Sequence, residues 1–174
     1  FFMAAIARAG KGLNRAVALA RKFDFILDIA GGSRWKLLGR SKTRREGVVF
    51  KSLSTRYRFH GMVDGQDKLR LLGESKAFLN PISWEEPFGM AQVESMLCCA
   101  PVLTTPRGAL VETVDADTGR FFETDEEFAG GFDGIANLSA QRCRQSAADR
   151  FPVVKTAKAY LELYARVLDG EALP

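Results

Sequence analysis

A chain of 174 residues with a single histidine and three cysteines has little from which to build a metal centre or a thiol site. The cysteines are Cys98, Cys99 and Cys143. An odd count with a vicinal pair suits neither a disulfide framework nor zinc spacing. They read as small buried residues of a reducing compartment. Nothing in the spacing brings the histidine, His60, near them, so it reads as structural. No run of about 18 apolar residues occurs, so no segment is long and apolar enough to cross a bilayer as a helix. The opening FFMAAIARAGKG has no basic stretch ahead of its apolar run, which argues against a secretory signal. Localisation defaults to the cytoplasm, with a peripheral place at the inner face of a membrane as the variant. The chain opens on Phe1 rather than Met, which is expected of a piece of a longer protein.

What is present is ordinary in bulk and uneven in charge. Hydrophobic residues are 47% and charged residues 26% of the chain, as in soluble globular domains. Residues 1–80 hold 17 Lys and Arg against 6 Asp and Glu, whereas 81–174 hold 8 against 15. A basic half suits an anionic partner such as phosphates, nucleic acid or a lipid surface, or is simply a solvated face.

Short apolar runs alternate with helical patterns. FDFILDIAGG (23–32), YRFHGMV (57–63), KAFLNPIS (76–83), APVLTT (100–105) and FFMAAIA at the start read as buried strands. Residues 13–23, 44–54, 65–75, 88–98 and 125–138 read as helices, with Asp67 as a start signal for the third. In the fourth, Met90, Val93, Met96 and Leu97 share the apolar face. Two closing helices are broken at Pro152. The alternation implies an α/β fold: a three-layer, Rossmann-like parallel sheet with helices on both faces. Ligands sit at the carboxyl ends of such strands, which places the candidate loops at 6–12, 31–34, 61–64, 82–89 and 104–112.

One of these loops has unusual chemistry. In NPISWEEPFGMAQVESMLCCAPVL (80–103), Glu86 precedes a proline and should stay extended. Pro87 suits a first helical turn, and Gly89 permits close approach to the backbone. The helix start then offers unpaired amides and a positive dipole end to an anion. Glu94 follows a little over two turns on, rotated roughly 80° from Glu86. Two such carboxylates can accept hydrogen bonds from hydroxyl-rich groups while the amides between them meet anionic oxygen. On spacing alone they equally suit a dipole-stabilising acid and a surface glutamate.

The run from Asn80 to Phe122 resembles the donor-binding, C-terminal half of retaining GT-B glycosyltransferases of family 4, the glycosyltransferase group 1. That family carries two glutamates separated by seven residues around E-P-F-G, matched here by Glu86-Pro87-Phe88-Gly89 and Glu94. RGALVETV and DTGRFF follow in the family's order. YRFHGMV, KGLNRAVALARKFDFILDIAGG and ADRFPVVKTAKAYLELYARVL extend the resemblance over nearly the whole chain. It implies one nucleotide-sugar-binding domain over 1–174, closed by a helical segment at 153–174 and cut from a two-domain enzyme.

By that resemblance Glu86 contacts donor-sugar hydroxyls and Glu94 the ribose. The backbone of Phe88, Gly89 and Met90 meets the sugar or diphosphate, and Lys11 neutralises the leaving phosphate. Gly31 and Gly32 lie near the phosphates, and Met62 and Val63 beside the base. Arg107 and Gly108 occupy a loop that approaches the donor, while Glu112 reads as a helix-start acid. The family's glycine and arginine before the lysine are replaced by Ala4-Ala5-Ile6, for which Arg8 or Arg34 are the substitutes at hand. The implied substrate is a UDP-, GDP- or ADP-linked sugar, used with retention and without metal or other cofactor. The implied activity is that of a retaining hexosyltransferase, silent in the isolated domain. The other implied partner is the acceptor-binding N-terminal domain; without it, the apolar face of the closing helix is a candidate dimer contact. A non-catalytic nucleotide-binding domain is the alternative. A basic nucleic-acid-binding module is a remote one, since no such motif occurs and nucleic acid is not expected as a partner.

Overall fold

Short runs of three to five residues form the strands, alternating with helices among the described residues, in the computed structural model, which describes residues 2–5, 10–31 and 55–172. The described residues contain six strands: β1 (Phe2–Ala5), β2 (Leu27–Ala30), β3 (Tyr57–Gly61), β4 (Ala77–Asn80), β5 (Val102–Thr104) and β6 (Gly119–Phe121). They form one sheet in the order β3-β2-β1-β4-β5-β6. Every neighbouring pair is parallel. This is the doubly wound order, whose winding reverses between β1 and β4.

The helices are α1 (Leu13–Lys22), α2 (Gly65–Gly73), α3 (Met90–Leu97), α4 (Leu110–Thr113), α5 (Asp125–Ile135), α6 (Ala140–Arg150) and α7 (Val153–Leu168). Side chains alternate across a strand, so the sheet feeds two cores. Leu27, Ile29, Ala77, Leu79 and Leu103 pack with Ala16, Val17 and Leu19 of α1 and with Phe128 and Ile135 of α5. Ala30, Phe78 and Val102 pack on the other face with Leu71 and Leu72 of α2, Val93 and Met96 of α3, and Cys143 and Ala147 of α6. A parallel sheet between two helix layers is the architecture expected from the alternation of apolar runs and helical patterns.

Several local expectations need correction. Strand β6 is additional to the elements read from the sequence, and helix α4 is marked there only by its acid, Glu112. β6 is only three residues long and begins at Gly119, where an added Cβ would lie 2.4 Å from Val102 O. Its pairing with β5, not its composition, makes it a strand. Helix α2 begins before Asp67, which lies in its first turn, and its N-cap residue is Asp64. In α3 the buried side chains are Gln92, Val93, Ser95 and Met96, while Met90 and Leu97 are exposed. The expected helix at 44–54 falls outside the described residues.

The cysteines divide. Cys143 is buried, and burial pushes its thiol up to about 12. Cys98 and Cys99 are only partly buried, because they form the turn after α3, with Cys99 at a positive φ of 66°. Burial also raises Cys98, with Cys99 as the next contribution. Thiolate is the reactive form. Cys143 should therefore resist a thiol reagent at pH 8 in the native chain and react only after denaturation, as a spectrophotometric thiol count will show.

Helix α5 starts with a capping box: Thr124 Oγ1 accepts from Glu127 N at 3.1 Å, and the Glu127 carboxylate accepts from Thr124 N at 3.2 Å. Those backbone donors, from Glu123 first, hold the Glu127 carboxyl below its ordinary range. Thr124→Ala should cost about 1 kcal/mol in a denaturant melt, the usual worth of an N-cap hydroxyl. Helix α7, by contrast, buries none of its residues. Its Val154, Leu161, Tyr164 and Leu168 face outward. Among the described residues no helix is long and apolar enough to cross a membrane.

Candidate functional site

The reversal between β1 and β4 sets two loops side by side, and the chain fastens them together. Gly12, the N-cap of α1, has φ +73°, and a Cβ there would lie 1.9 Å from Pro81 O. Only glycine fits that contact. Ser83 N donates to Gly10 O at 3.0 Å. Lys11 Nζ then reaches across the gap to Glu86 Oε2 at 2.8 Å. The side chains of Lys11 and Glu86 are 24% and 11% exposed. Lys11 Nζ also stands 4.8 Å from the centroid of the Trp84 ring, a cation–π distance. The structure thus joins the two residues that the resemblance made catalytic, at the place where a doubly wound sheet takes its ligand.

A second clamp fixes the backbone of Glu86. Gly108 N donates to the Glu85 carboxylate, and Ala109 N donates to Glu86 O at 2.8 Å. A Cβ on Gly108, whose φ is +56°, would lie 2.4 Å from Glu86 O. Arg107 turns away to pair with Glu123 at 2.6 Å. The 105–109 loop therefore holds the glutamate loop in place. Beneath it, Thr104 Oγ1 donates to Asn80 O at 2.9 Å and Thr105 Oγ1 donates to Ile82 O at 2.7 Å. These bonds are buried, where an unpaired polar group is costly. Glu112 sits exposed in the first turn of α4, where an acid was expected.

Glu86 is not on the helix, so the expected 80° rotation to Glu94 does not apply. Gly89, at φ +90° and ψ +54°, caps α3, and the helix runs from Met90. Phe88 packs edge-on against Phe151 at 5.7 Å between ring centroids. Met90 is 73% exposed beside it. Glu94 lies in the second turn, and its Oε1 accepts from Lys68 Nζ of α2 at 2.9 Å.

At the ends of β2 and β3, Gly31 N donates to Gly61 O at 2.7 Å. That amide is therefore spent inside the protein. Met62 is 85% exposed, while Val63 packs against the second core. Arg8, Gly32 and Arg34 lie outside the described residues. His60 is held within the sheet, its Nε2 2.7 Å from Oδ1 of the buried Asp28. Among the described residues no group of three or more His, Cys, Asp and Glu could hold a metal ion.

Two contributors escape a reading by motif. Trp84 shows itself only by being two residues from Glu86, and Lys68 has no signal at all, because its partner is 26 residues away.

Comparison with known proteins bears on the family and the fold. The family described as glycosyl transferases group 1 matches residues 4–137. No curated protein matches the chain. Among solved structures, AviGT4, a glycosyltransferase involved in avilamycin A biosynthesis, is 22% identical with a TM-score of 0.78, over 98% of this chain and 52% of its own. Anabaena Alr3699/HepE in complex with UDP is 21% identical with a TM-score of 0.76, over 95% and 48%. Sucrose-phosphate synthase from Thermosynechococcus elongatus is 22% identical with a TM-score of 0.77, over 98% and 46%. The layered parallel sheet matches GT-B glycosyltransferase folds. The chain spans about half the length of these relatives, and at such identities the likeness is one of fold.

Proposed function

Because the chain belongs to the group 1 glycosyl transferases, we propose that it is the donor-binding half of a retaining hexosyltransferase of family 4. It binds a nucleoside-diphosphate sugar for transfer to an acceptor carried by a separate N-terminal domain. The observation that carries this reading is the Lys11–Glu86 pair, set at 2.8 Å across the reversal of the sheet. A cation there offsets the charge that develops on the leaving phosphate oxygen as its bond to the anomeric carbon breaks. The first amides of α3 face the same charge.

Glu86 reads the sugar hydroxyls through the oxygen not held by Lys11. Glu94 reads the ribose diol, and the exposed Met62 flanks the base. With Lys11 and the amides opposite the diphosphate, the mechanism requires no metal. The unpartnered apolar face of α7 fits the surface on which the acceptor domain packs, or a dimer contact when that domain is removed. A titration with UDP of the kind found in Alr3699/HepE is the natural start.

A second reading has its own observation. Ala4-Ala5-Ile6 stand where the resemblance calls for a glycine and an arginine. A missing phosphate contact would leave a domain that binds nucleotide without supporting transfer.

Calorimetric titration of the chain with UDP, GDP, ADP and their glucose conjugates tests the proposal. Saturable binding of one of these nucleotides is the expected result. Silence from all six at millimolar concentration would contradict it.

A further inference from the structure

We propose that Lys68 is a positioning residue for nucleotide recognition: it fixes the Glu94 carboxylate so that one oxygen is free to meet the ribose diol. This inference rests on the donor-domain reading above. Lys68 Nζ donates to Glu94 Oε1 at 2.9 Å. Oε2 of Glu94 makes no hydrogen bond within the described residues. A carboxylate offers about four lone-pair positions, so one ammonium leaves room for a diol.

The placement of the pair argues for more than a helix tie. Lys68 stands on α2, which begins at Gly65, one residue beyond Met62 and Val63, with Asp64 between as its N-cap. Glu94 stands on α3, which begins directly after Gly89. The ion pair therefore links the loop assigned to the base with the helix start assigned to the phosphates, and it does so at the residue assigned to the ribose. It borders a cavity of about 370 Å³ lined by Lys68, Leu69, Glu94, Leu97, Cys98 and Arg144.

Both side chains are partly exposed, and exposed ion pairs contribute little to stability. What such a pair does supply is order. A free glutamate side chain loses rotamer freedom when it binds a ligand, and Lys68 has already restricted it. Preorganisation of this kind appears as affinity.

The test separates a positioning role from a structural one by using the ribose as the reporter. The chain and its Lys68→Met, Lys68→Arg and Glu94→Gln variants are titrated with UDP, GDP and ADP, and with the 2′,3′-dideoxy form of whichever binds. The wild type should prefer the ribose form on the order of 100-fold, because a site built to bond hydroxyls rejects the analogue that lacks them. In Lys68→Met that preference should fall at least about tenfold, as in Glu94→Gln, with affinity for the dideoxy form little changed. Lys68→Arg, which keeps the charge, should recover most of it.

An unchanged preference in Lys68→Met overturns the inference and leaves the donor-domain reading standing. So does an equal weakening of the ribose and dideoxy forms. No binding by the wild type overturns both.

Discussion

Gly12→Ala should cost the fold more than about 3 kcal/mol, the range reached when backbone strain and a steric clash coincide. The added methyl would lie 1.9 Å from Pro81 O, inside any real contact distance, at a φ of +73° that side chains rarely adopt. The clash is with backbone, so no rotamer change relieves it. Relief needs the β1 loop to part from the β4 loop, and that parting pulls Lys11 from Glu86. Gly65→Ala is the control. Its φ is also positive, at +47°, but nothing lies within 4 Å of the added Cβ. A loss of about 1 kcal/mol is expected there from strain alone. Chemical denaturation of both variants checks the contrast. With a total stability of about 5–15 kcal/mol typical of such domains, Gly12→Ala should leave a visibly shifted or absent transition.

Lys11→Met should weaken binding of a nucleoside diphosphate by about 10–100-fold while leaving the parent nucleoside nearly unaffected. The range follows from the worth of a hydrogen bond to a charged group, about 1.5–3 kcal/mol. The Lys11 side chain is only 24% exposed, so its field at a bound phosphate is screened less than that of a surface lysine. In the free chain its partner is Glu86 at 2.8 Å. An arriving diphosphate shares the ammonium with that carboxylate, and the sugar hydroxyls then give Glu86 new donors. The variant also leaves Glu86 without its cation. Parallel titrations of nucleoside, monophosphate and diphosphate will separate the charge effect from a general loss of the site. Equal weakening of all three would contradict the assignment of Lys11 to phosphate.

The sequence made the layers legible and left the clamps obscure, for a physical reason. Runs such as FDFILDIA and KAFLNP are apolar because both faces of their strands are covered, and that burial is written locally. The Lys11–Glu86 contact is equally tied to local motifs, KG after one strand and EEPFG after another. Sheet order then brings them together. The tie between Lys68 and Glu94 spans two helices whose patterns reveal only which side faces the core. Gly12 reads as an ordinary helix-start glycine until Pro81 is seen against it. Gly108 likewise shows its purpose only through Glu86 O. β6 was hidden because three residues starting with glycine carry no periodicity. The misjudged face of α3 has a similar origin. Met90 is apolar but opens an exposed helix start, whereas Gln92 and Ser95 are polar yet buried, and Ser95 Oγ donates to Ala100 O at 2.8 Å.

Everything proposed for this chain depends on one nucleotide site lying where the sheet reverses. Backbone amide shifts in the ¹⁵N-labelled chain, mapped as UDP, GDP or ADP is added, report that location residue by residue. The nucleotide that binds should move Lys11, Gly12, Met62, Val63 and the run from Glu86 to Glu94, and should leave β6 and α5 still. Shifts centred on the cavity beside Asp28, Arg58 and Glu74, or none with any of the three, would contradict a site at the reversal.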